Sequence, residues 1–374
     1  MTQFAYIGCY TSRLRGARGR GIAVYEIDNR GAWSLRQRVE PVQENPSWLA
    51  LDTERGVLHA VHGDGTSLAS YRRDASSGLL TLLGQQETGP QNPHPALDPR
   101  QRNNPVHVAA DPGGRYLLAA NHGAGNVAVF PLDDEGLPGQ PCSIWPIPGR
   151  PSPEHGYPGL SRPHEIVFDP AGKHFALPIQ GRNAGNGIDM VRIYAFSAGR
   201  CVLADEVIMP QGSWPRHAKF HPDGRYFYLL SELGNRVDVF GYNPSTGALS
   251  LRQTLGSLPP GYAGESGASE IVVHPNGRFL YAANRGHDSV GAFGIDPADG
   301  TLHPVGWVPC GGKSPRFTTL SPDGRRFYSA NEESDTLTEF HVDMRTGMLS
   351  ETGRVIDTPS PTCIIFAPGR QSQP

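Results

Sequence analysis

One string, His-Pro-Asp-Gly-Arg or a close variant of it, returns along this chain with a regularity that limits what the chain can fold into. HPDGRYFYLLSELGNRVDVFGYN (221–243) aligns with DPGGRYLLAANHGAGNVAVFPLD (111–133), HPNGRFLYAANRGHDSVGAFGID (274–296) and SPDGRRFYSANEESDTLTEFHVD (321–343). Two weaker copies are DPAGKHFALPIQGRNAGNGIDMVRIYAFS (169–197) and DTERGVLHAVHGDGTSLASYRRD (52–74). The turns begin at 52, 111, 169, 221, 274 and 321, in steps of 47 to 59 residues. Units of this length built from strands indicate propeller blades or a solenoid.

Each unit reads alike. An apolar strand such as HEIVFDP precedes the turn, a second such as RFLYAAN follows it, then a third such as SVGAFGID and a weaker fourth such as LRQTLG. That is the four-stranded meander of a blade. At the N-terminus, FAYIGCYT and GIAVYEID supply second and third strands with no first strand before them, and SPTCIIFAPG (360–369) reads as an orphan first strand. Six full units and one split unit predict an all-β, seven-bladed β-propeller of four-stranded antiparallel blades. The N- and C-terminal strands close the ring by pairing in one blade, and residues 1–374 form a single domain. Closure removes the open edge strands that invite aggregation. The 46 Gly and 35 Pro, about a fifth of the chain, fit many short strands and turns, and helical stripes are hard to find.

A net charge of −3 and a pI near 6.5 give no basic field for nucleic acid or an anionic membrane surface. No apolar run reaches membrane-spanning length. The start MTQFAYIGCYTSR lacks the basic region and cleavage site of a signal peptide. Cys9, Cys142, Cys201, Cys310 and Cys363 form no CxxC pair and are odd in number, so they read as buried small hydrophobes in a reducing compartment. The expectation is a soluble cytoplasmic protein, its oligomeric state left open. The basic run from Arg13 to Arg20 reads as a solvated hairpin loop, with anion steering as the alternative.

The repeat permits a register argument. Five residues before each turn, at the head of the innermost strand, stand Ser47, Val106, His164, Arg216, Ser269, Arg316 and, in the split blade, Thr362. Eleven residues after the turn starts, at the end of the second strand, stand Gly63, His122, Gln180, Glu232, Arg285 and Glu332. First and second strands run antiparallel, so both rows lie at one end of the blades and converge on one channel mouth. The next positions, Trp48, His107, Glu165, His217, Glu270 and Phe317, should point away and serve as packing, because side chains alternate along a strand. Long Pro/Gly-rich connections at 88–105, 148–163 and 257–268 should wall the mouth.

Two arginines beside a glutamate and a histidine suit a small anionic substrate, because a guanidinium presents a planar fork to carboxylate or phosphate and can hold an oxyanion. His164 or Glu232 is the candidate general base. Plainer readings stand beside these: a mouth polar only because it meets water, a surface ion pair for Arg216 and Glu232, an inter-strand pair for Arg316 and Glu332, a solvated His122 and a structural His164. No Gly-x-Ser-x-Gly elbow, Walker loop or His-Glu-x-x-His is present. No cofactor is implied, and no spacing demands a metal.

The strings PRHAKFHPDGRYFYLLSEL (215–233), ASEIVVHPNGRFLYAANRGHDSV (268–290) and RPHEIVFDPAGKHFAL (162–177) resemble the seven-bladed lactonase family. That family includes propeller-type 6-phosphogluconolactonase and the fungal carboxy-cis,cis-muconate lactonizing enzyme. The resemblance covers essentially the whole chain. It implies a mouth with catalytic His164, Arg216, Glu232 and Arg285, positions the register already brings together; the register adds His122, Gln180, Arg316 and Glu332 as substrate-binding candidates. It also implies a lactonase acting on a small anionic sugar-acid lactone, 6-phosphogluconolactone-like or an aldono- or aldarolactone. The alternatives are a carboxymuconate-type cycloisomerase and a non-catalytic binding platform. The Trp-Asp dipeptides of a WD-type scaffold are missing. One copy departs from the pattern: IQGRNAGNGIDMVRIY (179–194) is longer than its counterparts, and Arg182 and Asn183 are expected to reach over the site.

Overall fold

The computed structural model describes residues 3–89, 103–152, 157–182 and 186–369. Seven antiparallel sheets follow one another around a ring, at 46–87, 105–146, 162–208, 215–256, 267–309 and 315–357, with the seventh closing it. We number these blades one to six and call the last the closing blade. Its strand order from the outside inwards is Trp33–Val39, Ile22–Ile27, Gln3–Cys9 and Pro361–Pro368, so the C-terminal strand is innermost and pairs with the N-terminal one. The split blade expected from the sequence is the one observed. In blade three the innermost strand is broken into Arg162–Pro163 and Val167–Phe168, both paired to His174–Gln180. A two-stranded ribbon, Pro148–Ser152 with Tyr157–Leu160, rises from the connection into that blade.

Period-two alternation accounts for the stacking. In Gln3–Cys9, Phe4 and Tyr6 face blade one, where they meet Leu49 and Leu58. Ala5, Ile7 and Cys9 face blade six, where they meet Tyr328 and Ala330. Both faces of each sheet are covered, so inner strands read as nearly continuous apolar runs. The hydrophobic core is divided into seven clusters, one at each blade-to-blade interface. The innermost strands touch their neighbours around the central channel. The cysteines depart from expectation: all five are free thiols, but Cys142 is exposed and Cys201 half-buried, leaving Cys9, Cys310 and Cys363 in the interior. Among the described residues no helix is long and apolar enough to cross a membrane.

Neighbouring blades are also latched at their outer turns. The turn Asp296–Gly300 closes on Tyr228 of the preceding blade, whose hydroxyl donates to the Gly300 carbonyl at 3.1 Å. Gly300 has φ 77°, and a Cβ there would lie 2.4 Å from the ring of Tyr226. Left-handed backbone and the ring behind it both require glycine. Gly300→Ala should therefore lower the urea midpoint, with a loss of roughly 2 kcal/mol or more, without changing the β-sheet circular dichroism at low urea. An unchanged midpoint would remove the latch from this account.

Candidate active site

The head of every innermost strand carries a one-residue bulge. Pairing with the second strand skips a residue between Pro46 and Trp48, Pro105 and His107, Pro215 and His217, and Pro315 and Phe317. It skips one within Ala268–Ile271 and one at Thr362, and in blade three four steps from Pro163 to Val167 face three from Ile179 to Ala176. Proline supplies no N–H to the ladder and so sits comfortably at such a strand start. A bulge re-aims the residues it contains, and here it sends consecutive side chains into the channel. Arg216 lines the mouth cavity, yet the adjacent His217 also faces inward, its ring 5.0 Å from that of His164. This corrects the expectation that the second row turns away: simple alternation fails at the bulge.

The upper row surrounds a cavity of about 610 Å³. His122, His164, Arg216, Glu232, Arg285 and Arg316 line it, joined by Tyr10, Arg15, Asp64, Arg162 and Arg182 among others. Glu232 is the hub. Its Oε1 accepts from Nη2 of Arg285 at 2.8 Å, and its Oε2 accepts from Nε2 of Gln180 at 3.0 Å and lies 3.9 Å from Nη1 of Arg216. Arg285 also donates to the Gly267 carbonyl at 3.2 Å, and Arg216 to the Ser269 carbonyl at 2.8 Å. Burial alone would raise the Glu232 carboxyl, but Arg285, Arg216 and Arg182 outweigh it and hold the group well below the usual carboxylate range. Burial pushes the Arg216 guanidinium down to about 9, which leaves it cationic at neutral pH.

Donor and acceptor rules fix both histidines. Arginine can only donate, so Nε2 of His164, which Nη1 of Arg216 contacts, is the acceptor and the ring proton sits on Nδ1. Burial, then the neighbouring Arg216, holds His164 well below its ordinary value, so the ring is neutral. Gln180 directs its amide NH₂ to Glu232 and its Oε1 to Nε of Arg182 at 2.9 Å. Nε2 of His122, 3.2 Å from that same oxygen, therefore carries the proton. Burial followed by Arg182 and Arg162 keeps His122 neutral as well.

Below this ring the second row makes a floor. Trp48 packs on His107 at 4.4 Å, Phe317 at 5.3 Å and His217 at 5.4 Å, ring to ring, spanning the channel between blades one, two, four and six. Nδ1 of His217 lies 2.9 Å from Oε2 of Glu270. Ligand atoms of Glu165, His217 and Glu270 lie within 4.8 Å of one another, which is the spacing of a cation site. The ammonium of Lys219 already supplies the positive charge there, 2.6 Å from Oε1 of Glu165 and 3.6 Å from Oε1 of Glu270.

The remaining candidates separate. Gln180 is fully buried behind the cavity wall and acts through its hydrogen bonds, and Glu332 stands behind Arg316 as its 3.3 Å partner. His122 is buried, not solvated. The basic run is only partly the solvated loop expected. Leu14 is exposed, but Arg15 pairs bidentately with Asp64 and lies 4.2 Å over Tyr10, while Arg316 lies 4.7 Å from the same ring and donates to its hydroxyl at 2.5 Å. Sequence reasoning missed Tyr10, which follows the second strand of the closing blade at the place of His122, Glu232 and Glu332, its N–H bonded to the Ser360 carbonyl as theirs are to Asn104, Trp214 and Ser314. Carrying the second row into the split blade would have found it, whereas Arg15 lies outside the repeat register. Arg182 does reach the cavity; Asn183 lies outside the described residues, as does most of the 88–105 connection. Among the described residues of 257–268 none lines the cavity, and that segment contributes carbonyls to Arg285 instead.

The chain was compared with known proteins. It is 30% identical over 326 residues to the 6-phosphogluconolactonase of Bacillus subtilis (strain 168), covering 84% of each chain. It is 29% identical over 292 residues to that of Serratia proteamaculans, covering 77% of this chain and 78% of the relative. The structure of the Pseudomonas aeruginosa periplasmic gluconolactonase PpgL superposes with a TM-score of 0.83 at 28% identity, over 99% of this chain and 100% of that one. Residues 4–366 match the family described as Lactonase, 7-bladed beta-propeller. With the ring of blades and the histidine, arginine and glutamate mouth already in view, the chain belongs to the seven-bladed β-propeller lactonase family.

Proposed function

We propose that this protein hydrolyses a sugar-acid lactone carrying a second anionic group, phosphate or carboxylate. One observation carries the reading: the carboxylate of Glu232 is set among Arg216, Arg285 and Arg182 beside the neutral His164 in one cavity, whose other carboxylate, Asp64, is held by Arg15. The names of the Bacillus and Serratia relatives support the substrate class.

In this reading the lactone carbonyl oxygen lies against Arg216 and Arg285. Water attacks the carbonyl carbon, and charge developing on the oxygen draws Nη1 of Arg216 away from His164. The released Nε2 lone pair takes the proton from the attacking water and returns it to the ring oxygen as the C–O bond breaks, leaving a hydroxy acid. Glu232 is a poor base, because its arginines keep it ionised and occupied; it positions them. A general base works best with a pKa near the working pH. The bound anion offsets the arginine field that depresses His164 and so raises its basicity in the complex.

Two outcomes follow. Arg285→Ala should cost about a hundredfold or more in kcat/KM for opening of the preferred lactone in a pH-indicator assay. In ¹⁸O-labelled water the wild-type product should gain one labelled oxygen; an isomer of unchanged mass would overturn hydrolysis. For pH, protonation of His164 removes the base, so kcat/KM falls as the solution is acidified. Because His164 is held below its ordinary value of about 6.5, that fall should begin only below pH 6.5. A decline already under way at pH 7.5 would exclude His164 as the base.

A further inference from the structure

The residue before the opening proline of the innermost strand is left-handed in five blades, and in four of these it is short and polar. Asn45, Asn104, Ser314 and Ser360 all have left-handed backbone, with φ of 60°, 44°, 58° and 46°. Short polar side chains tolerate that region, and bulky ones are outliers there. In blade four the same place holds Trp214, at φ 55°. Its indole makes no hydrogen bond through Nε1, and its ring carries the guanidinium of Arg182 at 3.9 Å. Arg182 is itself left-handed, at φ 45°, and opens the segment that is longer in blade three than in its counterparts. Two residues that break a local rule meet face to face at the cavity.

Arg182 differs from four other arginines that line the cavity. Arg15 is paired to Asp64, Arg285 and Arg216 to Glu232, and Arg316 to Glu332. Arg182 donates Nε to Gln180 and stacks on Trp214, but forms no ion pair among the described residues. Its stem is thus fixed while its two terminal amino groups make no ion pair among the described residues, Glu232 feeling its charge without contact. A guanidinium held flat with its fork uncommitted is suited to bidentate capture of an oxyanion. Gln180 stands between it and Glu232, so it lies to one side of the His164 and Arg216 centre.

We propose that Arg182, carried on Trp214, is the specificity arm that binds the substrate's remote anionic group; this rests on the lactonase reading for the substrate but not for the ligand site itself. The arm sets KM and ligand preference, while the ester chemistry belongs to Arg216, Arg285 and His164.

The test is calorimetric binding of three open-chain acids, 6-phosphogluconate, glucarate and gluconate, to wild type, Arg182→Ala and Trp214→Asn, with lactone kinetics alongside. Wild type should bind the phosphate or the dicarboxylate about tenfold or more tightly than gluconate, and whichever wins identifies the anion. Both variants should reduce that ratio to about one. Their kinetic loss on the matching lactone should fall on KM, with kcat kept within about threefold. Trp214→Asn installs the residue that blades one and two carry at this left-handed place, so its melting temperature should not fall, which separates lost recognition from lost folding. A wild type without preference, or variants that keep it, would overturn the arm. If the preference depends on Arg182 but no lactone is opened, the arm stands and the hydrolytic reading fails.

Discussion

The structure depends on the bulge at the head of its seven innermost strands. A regular strand offers a channel only every second side chain, whereas a bulge offers two in succession. Blades two, three, four and six therefore each contribute one residue to an upper ring, Val106, His164, Arg216 and Arg316, and one to a floor beneath it, which Trp48 and Glu270 of blades one and five join. The floor, built from Trp48, Phe317, His107, His217 and the Lys219-neutralised Glu165 and Glu270, blocks the channel below. A site closed at the bottom is drier than an open channel, and charge interactions within it are correspondingly stronger.

That dryness governs the chemistry of the upper ring. Buried arginines need a counter-charge, and the structure supplies Glu232 to two of them while Gln180 ties the same carboxylate to Arg182 and His122. Such an arrangement is held together but short of negative charge, which is why the proposed function places an anionic ligand there. Burial first, and then Arg216 beside it, keep His164 neutral. In the proposed reading binding and basicity are thereby linked: an anion that satisfies the arginines also lessens their part of the field that suppresses the histidine.

A repeat protein makes exceptions visible, because each blade is a control for the others. Five of the opening residues before proline are left-handed, and the chain spends that strain on a tryptophan only where an arginine needs a platform. Places where local preference is violated without a packing reason are where function is to be sought. The long segment after Gln180 and the indole of Trp214 are two such departures from unrelated parts of the sequence, and they share one contact.

Much of this was legible beforehand. The turn period gave the number of blades, the orphan strand at 360–369 gave the closure, and the register placed His164, Arg216, Glu232 and Arg285 at one mouth. These succeed because period and alternation are local properties that a repeat multiplies. What failed was whatever depended on a departure from alternation or on contact between distant segments. The bulge turned His217 and Glu270 inward, Arg15 arrived from a connection outside the repeat, Cys142 fell just before an outer strand and is exposed, and Cys201 fell on an outer strand where it is only partly buried. The sequence by itself determined the ring and which residue types stand at its mouth. Only the tertiary structure decided which of them touch, which nitrogen of each histidine bears the proton, and which arginines pair with a carboxylate among the described residues, because those follow from distances between blades that no single repeat contains.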